Sequence, residues 1–174
     1  MKIIAFAASS SKQSINKQIA TYAAGLMKGA DVEVLDLNDY ELPLFSVDQE
    51  ADIGQPDLAK AFLAKLSGAD AIIISFAEHN GSYSAAYKNL FDWCSRITRE
   101  IFADKPLVFF ATSPGPGGAS RVLDAAVGAA PFFAGHVKAS LSIPTFSENF
   151  DLTTQRPTHK DIEAQILKAV QALL

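Results

Sequence analysis

Cysteine is nearly absent: Cys94 is the only one in 174 residues. No intrachain disulfide is possible, and the chain fits a reducing compartment such as the cytoplasm. Basic clusters are missing too. The 15 Lys and Arg are dispersed and the formal net charge is −4, which argues against a general nucleic-acid surface. No apolar run approaches the roughly 20 residues of a membrane-spanning helix. Met1-Lys2 opens a strand-like run that turns polar too quickly for a signal peptide. No internal repeat, low-complexity tract or linker interrupts the chain. No Gly-x-x-x-x-Gly-Lys-Ser/Thr occurs, and the first strand-to-helix turn holds no glycine. A P-loop and a dinucleotide fingerprint are therefore excluded. No metal-ligating cluster and no catalytic dyad stand out, and no second histidine lies near His79 in sequence.

What is present is ordinary globular composition, with 49% apolar and 20% charged residues. That suits one domain over residues 1–174 with a substantial core. The periodicity alternates between strand and helix. Strands are expected at Lys2–Ala8, Val32–Leu37, Ala69–Phe76, Pro106–Thr112 and Val137–Ile143. Helices are expected at Lys17–Lys28, Pro56–Ser67, Ala85–Ile97, Ala119–Ala134 and Asp161–Leu174, the fourth shortened or kinked near Pro131. Continuous apolar strands read as covered on both faces. Five βα units predict an α/β doubly wound parallel sheet with helices on both sides.

Ligands of such sheets sit beyond the carboxyl ends of the strands, at the switch in strand order. Three strand-end loops carry unusual sequence. The first is Ser9-Ser10-Ser11-Lys12-Gln13-Ser14-Ile15-Asn16. Its hydroxyls, Lys12 and the following helix N-terminus suit a phosphate monoester. One helix cap needs one polar residue, whereas this turn has six besides Lys12. Without glycines, a terminal phosphate held by side chains and helix N–H groups fits better than a pyrophosphate, which points to a mononucleotide. The second loop is Ala77-Glu78-His79-Asn80-Gly81-Ser82-Tyr83-Ser84, where Asn80-Gly81 is also a plain turn signal. The third is Ser113-Pro114-Gly115-Pro116-Gly117-Gly118, which also reads as a helix lead-in.

These segments resemble the NAD(P)H-dependent FMN reductases of the flavodoxin-like class, a family of flavin, quinone, chromate and azo-compound reductases. The first turn is similar to the family pattern Gly-Ser-x-Arg-x-x-Ser-x-Asn through Ser9, Ser14 and Asn16, with Ala8 and Ser11 in place of glycine and arginine. The second loop resembles Pro-Glu-Tyr-Asn-x-Ser followed by Lys-Asn and Asp-Trp, here Ala77 to Ser82, Lys88-Asn89 and Asp92-Trp93. His79 stands for the tyrosine, and Ala77 and Ser84 for two prolines. The third loop, and Leu42-Pro43-Leu44-Phe45, also match.

The resemblance implies a flavodoxin-like sandwich with sheet order 2-1-3-4-5. It implies an enzyme moving a hydride from NAD(P)H through FMN to a quinone, free flavin, chromate or similar acceptor. Ser9, Ser11, Lys12, Ser14, Ile15 and Asn16 would hold the phosphate. Ala77, Glu78, His79, Asn80, Gly81 and Ser82 would line the ring edge, opposite Ser113, Pro114, Gly115, Gly117 and Gly118. The flavin carries the chemistry, so no catalytic side chain and no metal is expected. A flavodoxin-type electron carrier and a non-catalytic binding module remain as alternatives. Arg96, Arg99 and Arg121 are the candidates for a cofactor 2′-phosphate, though none reads as a dedicated clamp. A homodimer or homotetramer is implied, with Phe45 to Gly54 beside a neighbour's flavin. Apolar residues wrap most of the helix from Ala85 to Arg99, so a patch including Trp93 is expected to be exposed unless a partner or a loop covers it.

Overall fold

Full burial of both strand faces explains the apolar runs. Ile3 to Ala8 and Ala71 to Phe76 are buried at every position, as a covered parallel sheet demands. The computed structural model describes residues 1–174. The chain begins with β1 (Lys2–Ala8), α1 (Ile15–Gly25), β2 (Asp31–Leu35), a 3₁₀ turn (Leu37–Tyr40), α2 (Val47–Ile53) and α3 (Asp57–Ser67). It continues through β3 (Ala71–Phe76), a hairpin of β4 (Glu78–His79) and β5 (Ser82–Tyr83), and α4 (Ala85–Ile97). Then come β6 (Lys105–Thr112), α5 (Ser120–Ala129), a 3₁₀ turn (Ala130–Phe133) and β7 (Gly135–Ile143). The chain closes with α6 (Phe146–Asn149), β8 (Phe150–Asp151), β9 (Arg156–Pro157) and α7 (Lys160–Gln171).

The main sheet runs β2-β1-β3-β6-β7, parallel throughout. Counting only its own five strands, that is the expected order 2-1-3-4-5. Period-two alternation sorts β1 between two cores. Ile4 and Phe6 join Phe62 of α3, Leu90 of α4 and Val122 of α5 on one face. Ile3 and Ala5 join Ile19 of α1 and Ile166 of α7 on the other. The fold is thus the α/β flavodoxin-like sandwich.

Several boundaries differ from expectation for local reasons. β2 stops at Leu35 because Asp36 turns to cap the 3₁₀ segment, accepting from the Asn38 amide at 2.9 Å. The fourth expected helix breaks after Ala129 into a 3₁₀ turn holding Pro131, since proline lacks the N–H a continuing helix needs. α2 and the excursion from α6 to β9 were not anticipated.

Of the two covers expected for the patch at Trp93, a partner or a loop of the same chain, the packing shows the loop. Trp93 is fully buried. Its indole N–H donates to the Pro43 carbonyl at 2.8 Å, and the Phe45 ring meets it edge-on at 5.1 Å. Asn89, one turn earlier, donates to the Leu42 and Pro43 carbonyls and accepts from the Phe45 amide. Asn89 and Trp93 therefore hold the segment Leu42–Phe45 against α4, and this chain covers its own tryptophan. Exposed apolar side chains stand on that strap and at the start of α2 instead: Leu44 is 81% and Val47 70% exposed.

Cys94 is buried beside the Ala59 carbonyl. Desolvation pushes its thiol up to about 12, so roughly one molecule in ten thousand carries the reactive thiolate at pH 8. A maleimide or disulfide reagent is expected to leave the native protein unlabelled for hours and to label it at once in denaturant. Rapid native labelling would show that this core opens.

Candidate functional site

The three strand-end loops meet at one depression of about 190 Å³ at the carboxyl edge of the sheet. Ser9, Ser11, Ser14, Ile15 and Asn16 line it from the first loop, Ala77, Glu78 and His79 from the second, and Ser113 and Pro114 from the third. Gln13 and Thr112 join them. Lys12, Asn80, Gly81, Ser82, Gly115, Gly117 and Gly118 lie outside this lining, on the flanking parts of the same loops. Thr112 gave no signal, being the last residue of an apolar strand.

The first loop is closed by its own hydrogen bonds. The Ser9 hydroxyl accepts from the Ser11 amide and the Ser11 carbonyl from the Ser14 amide, both at 3.2 Å. Ser14 is the N-cap of α1, its hydroxyl accepting from the Lys17 amide at 3.2 Å. The cap reading and the anion reading coincide here, because a capping hydroxyl still has a proton to donate. The amides of Ile15 and Asn16 begin the helix and have no intrahelical acceptor. Lys17 pairs with Asp36, which fixes the start of α1 against the end of β2. That ammonium, with the Asn38 amide, holds the Asp36 carboxyl below its usual value. Lys12 is exposed and takes part in none of the chain's ion pairs.

Asn16 does something its sequence position does not reveal. It is 2% exposed. Its amide nitrogen donates to the Thr112 carbonyl at 3.1 Å, and its oxygen accepts from the Ser75 hydroxyl at 2.7 Å and the Thr112 amide at 3.1 Å. The side chain thereby clamps the ends of β3 and β6 to α1. Its backbone amide, at the start of α1, has no intrahelical acceptor and is the group we assign to an anion.

The second loop is a tight hairpin, with Glu78 opposite Tyr83 and His79 opposite Ser82. Asn80 and Gly81 both take positive φ, 53° and 77°, the pairing that a two-residue primed turn requires. Two side chains fix the hairpin's place. The Ser84 hydroxyl caps α4 and donates to the Ala8 carbonyl at 2.8 Å, tying this loop to the first. The Glu78 carboxylate accepts from the Val122 amide at 3.0 Å. It caps α5, whose own N-cap residue, Ala119, has no side chain able to do so. Arg121 lies over Gly81, its nearest atoms 3.7 Å from where a Cβ would stand. By contrast Arg96 pairs with Glu50, and Arg99 donates to the Phe132 carbonyl. Arg121 is the one of the three beside the site.

The third loop leans on β7. Gly118 has φ +57°, and a Cβ there would clash with Ser142 and lie 3.0 Å from the Pro144 nitrogen. Only glycine fits. The Ser142 hydroxyl donates to the Gly118 carbonyl at 2.8 Å, and the Gly115 carbonyl accepts from the Thr145 amide at 3.0 Å.

Glu78 is the one carboxylate lining the depression, and a helix N-terminus engages it. The other groups at the first loop are hydroxyls and amides. This donor set fits a bound anion. No three His, Cys, Asp or Glu side chains converge as a metal centre would need.

The family model for NADPH-dependent FMN reductases matches residues 1–147. The chain belongs to that family. An Arabidopsis thaliana NADPH:quinone oxidoreductase is 34% identical over 122 residues, covering 68% of this chain and 61% of the plant protein. An NAD(P)H-dependent FMN reductase of Pseudomonas aeruginosa is 30% identical over 122 residues, covering 70% of this chain and 64% of that one. The chain thus spans a little over three fifths of the length of these curated relatives. In structure, it resembles the flavoenzyme NAD(P)H:(acceptor) oxidoreductase of Paracoccus denitrificans with a TM-score of 0.71 at 20% identity, over 99% of this chain and 94% of that one. As a family member, the chain departs from the usual motifs at Ser84. The hydroxyl bond to Ala8 anchors the loop where a proline would have stiffened it.

Proposed function

We propose that this protein is an NAD(P)H-dependent FMN-containing oxidoreductase that reduces a quinone, free flavin, chromate or similar small acceptor. The observation that carries the reading is the convergence of the three loops on one depression whose first-loop donors face no free carboxylate. Ser9, Ser14 and the amides of Ile15 and Asn16 would hold the terminal phosphate, with Ser11 and Lys12 alongside. The hairpin from Ala77 to Ser82 and the loop from Ser113 to Gly118 would border the ring system. FMN, when bound, supplies hydride acceptance and donation. The chain's own task is to orient the ring and to offer backbone N–H groups to negative charge on it. His79 is exposed at the hairpin, in the position that would meet an incoming nicotinamide or acceptor.

The test is spectroscopic and kinetic. Purified protein should bind one FMN per chain in preference to FAD and consume NAD(P)H when given a benzoquinone. NAD(P)H and acceptor would occupy the same open side of the depression in turn, so double-reciprocal plots at several quinone concentrations should be parallel. FMN binding without NAD(P)H consumption would make the protein an electron carrier. No FMN binding would make it a module that has lost the cofactor.

A homodimer or homotetramer belongs to the same proposal. With Trp93 covered, support for it rests on the exposed Leu44 and Val47, together with Ile53, 46% exposed at the end of α2. Light scattering at micromolar concentration should give twice or four times the chain mass, and Val47→Glu should shift it toward one chain. A monodisperse wild-type monomer with full activity would overturn this part.

A further inference from the structure

A second cavity lies on the other side of the hairpin. α4 leans on α3, while α5 packs on β6, β7 and the 3₁₀ turn that follows it. The two helices leave between them a space of about 210 Å³. Seven of its thirteen lining residues are aromatic, among them Phe76, Phe91, Phe109, Phe133, Tyr83 and Tyr87, and three alanines with Lys88, Asp92 and Ser95 complete the walls. Phe91 and Phe133 meet edge-to-face at 4.7 Å, bridging α4 to the 3₁₀ turn. Tyr83 and Tyr87 stand 5.4 Å apart by ring centroid. The hairpin that lends Glu78 and His79 to the first depression lends Tyr83 to this cavity.

Two features make the cavity more than a packing gap. The first is polar. No buried side-chain nitrogen or oxygen in the chain lacks a hydrogen-bond partner. The Tyr87 hydroxyl bonds to no protein group, although its residue is 5% exposed. That hydroxyl therefore stands against open space, and the space Tyr87 borders is this cavity. The Tyr83 hydroxyl is likewise unbonded. Burial raises both phenols above their ordinary value, so at neutral pH each has a proton to donate. The second feature is charge. At the mouth, Lys88 and Asp92 satisfy each other through two bonds of 2.7 and 2.8 Å, leaving the entrance with no net charge. A neutral guest meets no opposing field there, and a charged one gains nothing.

Size narrows the guest further. A dry cavity of roughly 150 Å³ takes benzene, so this one suits a substituted ring or two fused rings. Offset and edge-to-face contacts favour an aromatic guest over an aliphatic one. We propose that this cavity binds a small neutral aromatic molecule carrying one hydroxyl or carbonyl oxygen, its rings packed against Phe76, Phe91, Phe109 and Phe133 and its oxygen bonded to Tyr87. The site is separate from the depression at the strand ends and does not depend on what that depression holds.

The test uses 2-naphthol and naphthalene as probes, titrated into the full chain by calorimetry and by NMR shifts, with and without saturating FMN. The wild-type protein should bind 2-naphthol saturably, one per chain, with the same affinity in both states. Tyr87→Phe should weaken 2-naphthol about tenfold, the worth of one buried hydrogen bond, and leave naphthalene unchanged. Ala129→Phe, which places a ring in the cavity from α5, should abolish binding of both. Should that variant not fold, the Tyr87→Phe discrimination decides alone. Absence of saturable binding, competition by FMN, or equal losses of 2-naphthol and naphthalene in Tyr87→Phe would overturn the proposal. So would failure to bind 2-naphthol combined with an oligomer that Ala129→Phe dissociates, since a second copy would then fill the cavity.

Discussion

Asn16→Ala is expected to lower the thermal midpoint of the FMN-free protein by about 10 °C. The side chain makes three buried hydrogen bonds, two to Thr112 and one to Ser75. Truncation leaves an amide, a carbonyl and a hydroxyl without partners in a region closed to water. Each orphaned group costs about 1–3 kcal/mol, and a total of ~3–4 kcal/mol corresponds to roughly 2–4 °C per kcal/mol in a chain of this size. Asn16→Asp should be nearly as harmful. It keeps an acceptor for Ser75 and the Thr112 amide, but loses the donor to the Thr112 carbonyl and sets a charge against that oxygen. The measurement is thermal and denaturant unfolding of both variants without cofactor. A shift under 3 °C in Asn16→Ala would mean that the clamp is dispensable. The same variant should also hold FMN less well. The ends of β3 and β6 carry the second and third loops, and the Asn16 side chain hydrogen-bonds both strands to the start of α1.

That clamp marks where sequence reading stops. The parallel sheet was legible because a strand covered on both faces must be apolar at consecutive positions, as Ile72-Ile73-Ile74 is. The loops were legible because polar and glycine-rich stretches between such strands have one place to go. Asn16, however, reads equally well as a cap, a phosphate ligand or a clamp. The partner that decides, Thr112, is 96 residues away. Glu78 presents the same difficulty, since its acceptor role depends on the amide of Val122 in the first turn of α5, 44 residues later. Trp93 left its cover undecided for a related reason. A helical wheel shows how far apolar residues extend round α4, but it does not show that Leu42–Phe45 folds back over them. The α2 helix left no trace because it buries no residue. A Ser46 cap and the pairing of Glu50 with Arg96 support it, and neither makes a periodic apolar pattern. Family resemblance supplied the loop assignments, and the contacts now give those motifs physical roles: Asn89 and Trp93 hold a strap, and Ser84 and Glu78 hold the hairpin.

Ser14→Asp should weaken FMN binding by a hundredfold or more while leaving the fold intact. The substitution separates two roles that wild-type Ser14 combines. As N-cap of α1, its hydroxyl accepts from the Lys17 amide, and aspartate serves that role as well as serine. Helix stability should therefore hold, and a carboxylate near the positive end of the helix dipole could even add a few tenths of a kcal/mol. Toward a phosphate, the change is from a donor to a like charge. Two unit charges about 4 Å apart near a protein surface interact by ~4 kcal/mol at an effective dielectric of 20, and a phosphate monoester carries more than one. Ser14→Ala gives the intermediate case. It removes one donor and the cap bond without adding charge, so affinity should fall about tenfold, with a loss of about 1 kcal/mol in stability. Quenching of FMN fluorescence reports the affinities, and denaturant unfolding of the cofactor-free proteins reports the fold. The order wild type, Ser14→Ala, Ser14→Asp in affinity, with Ser14→Ala the least stable, is specific to a phosphate at this helix start. If Ser14→Asp binds FMN as tightly as the wild type does, the phosphate lies elsewhere, and the first loop is only a well-capped turn.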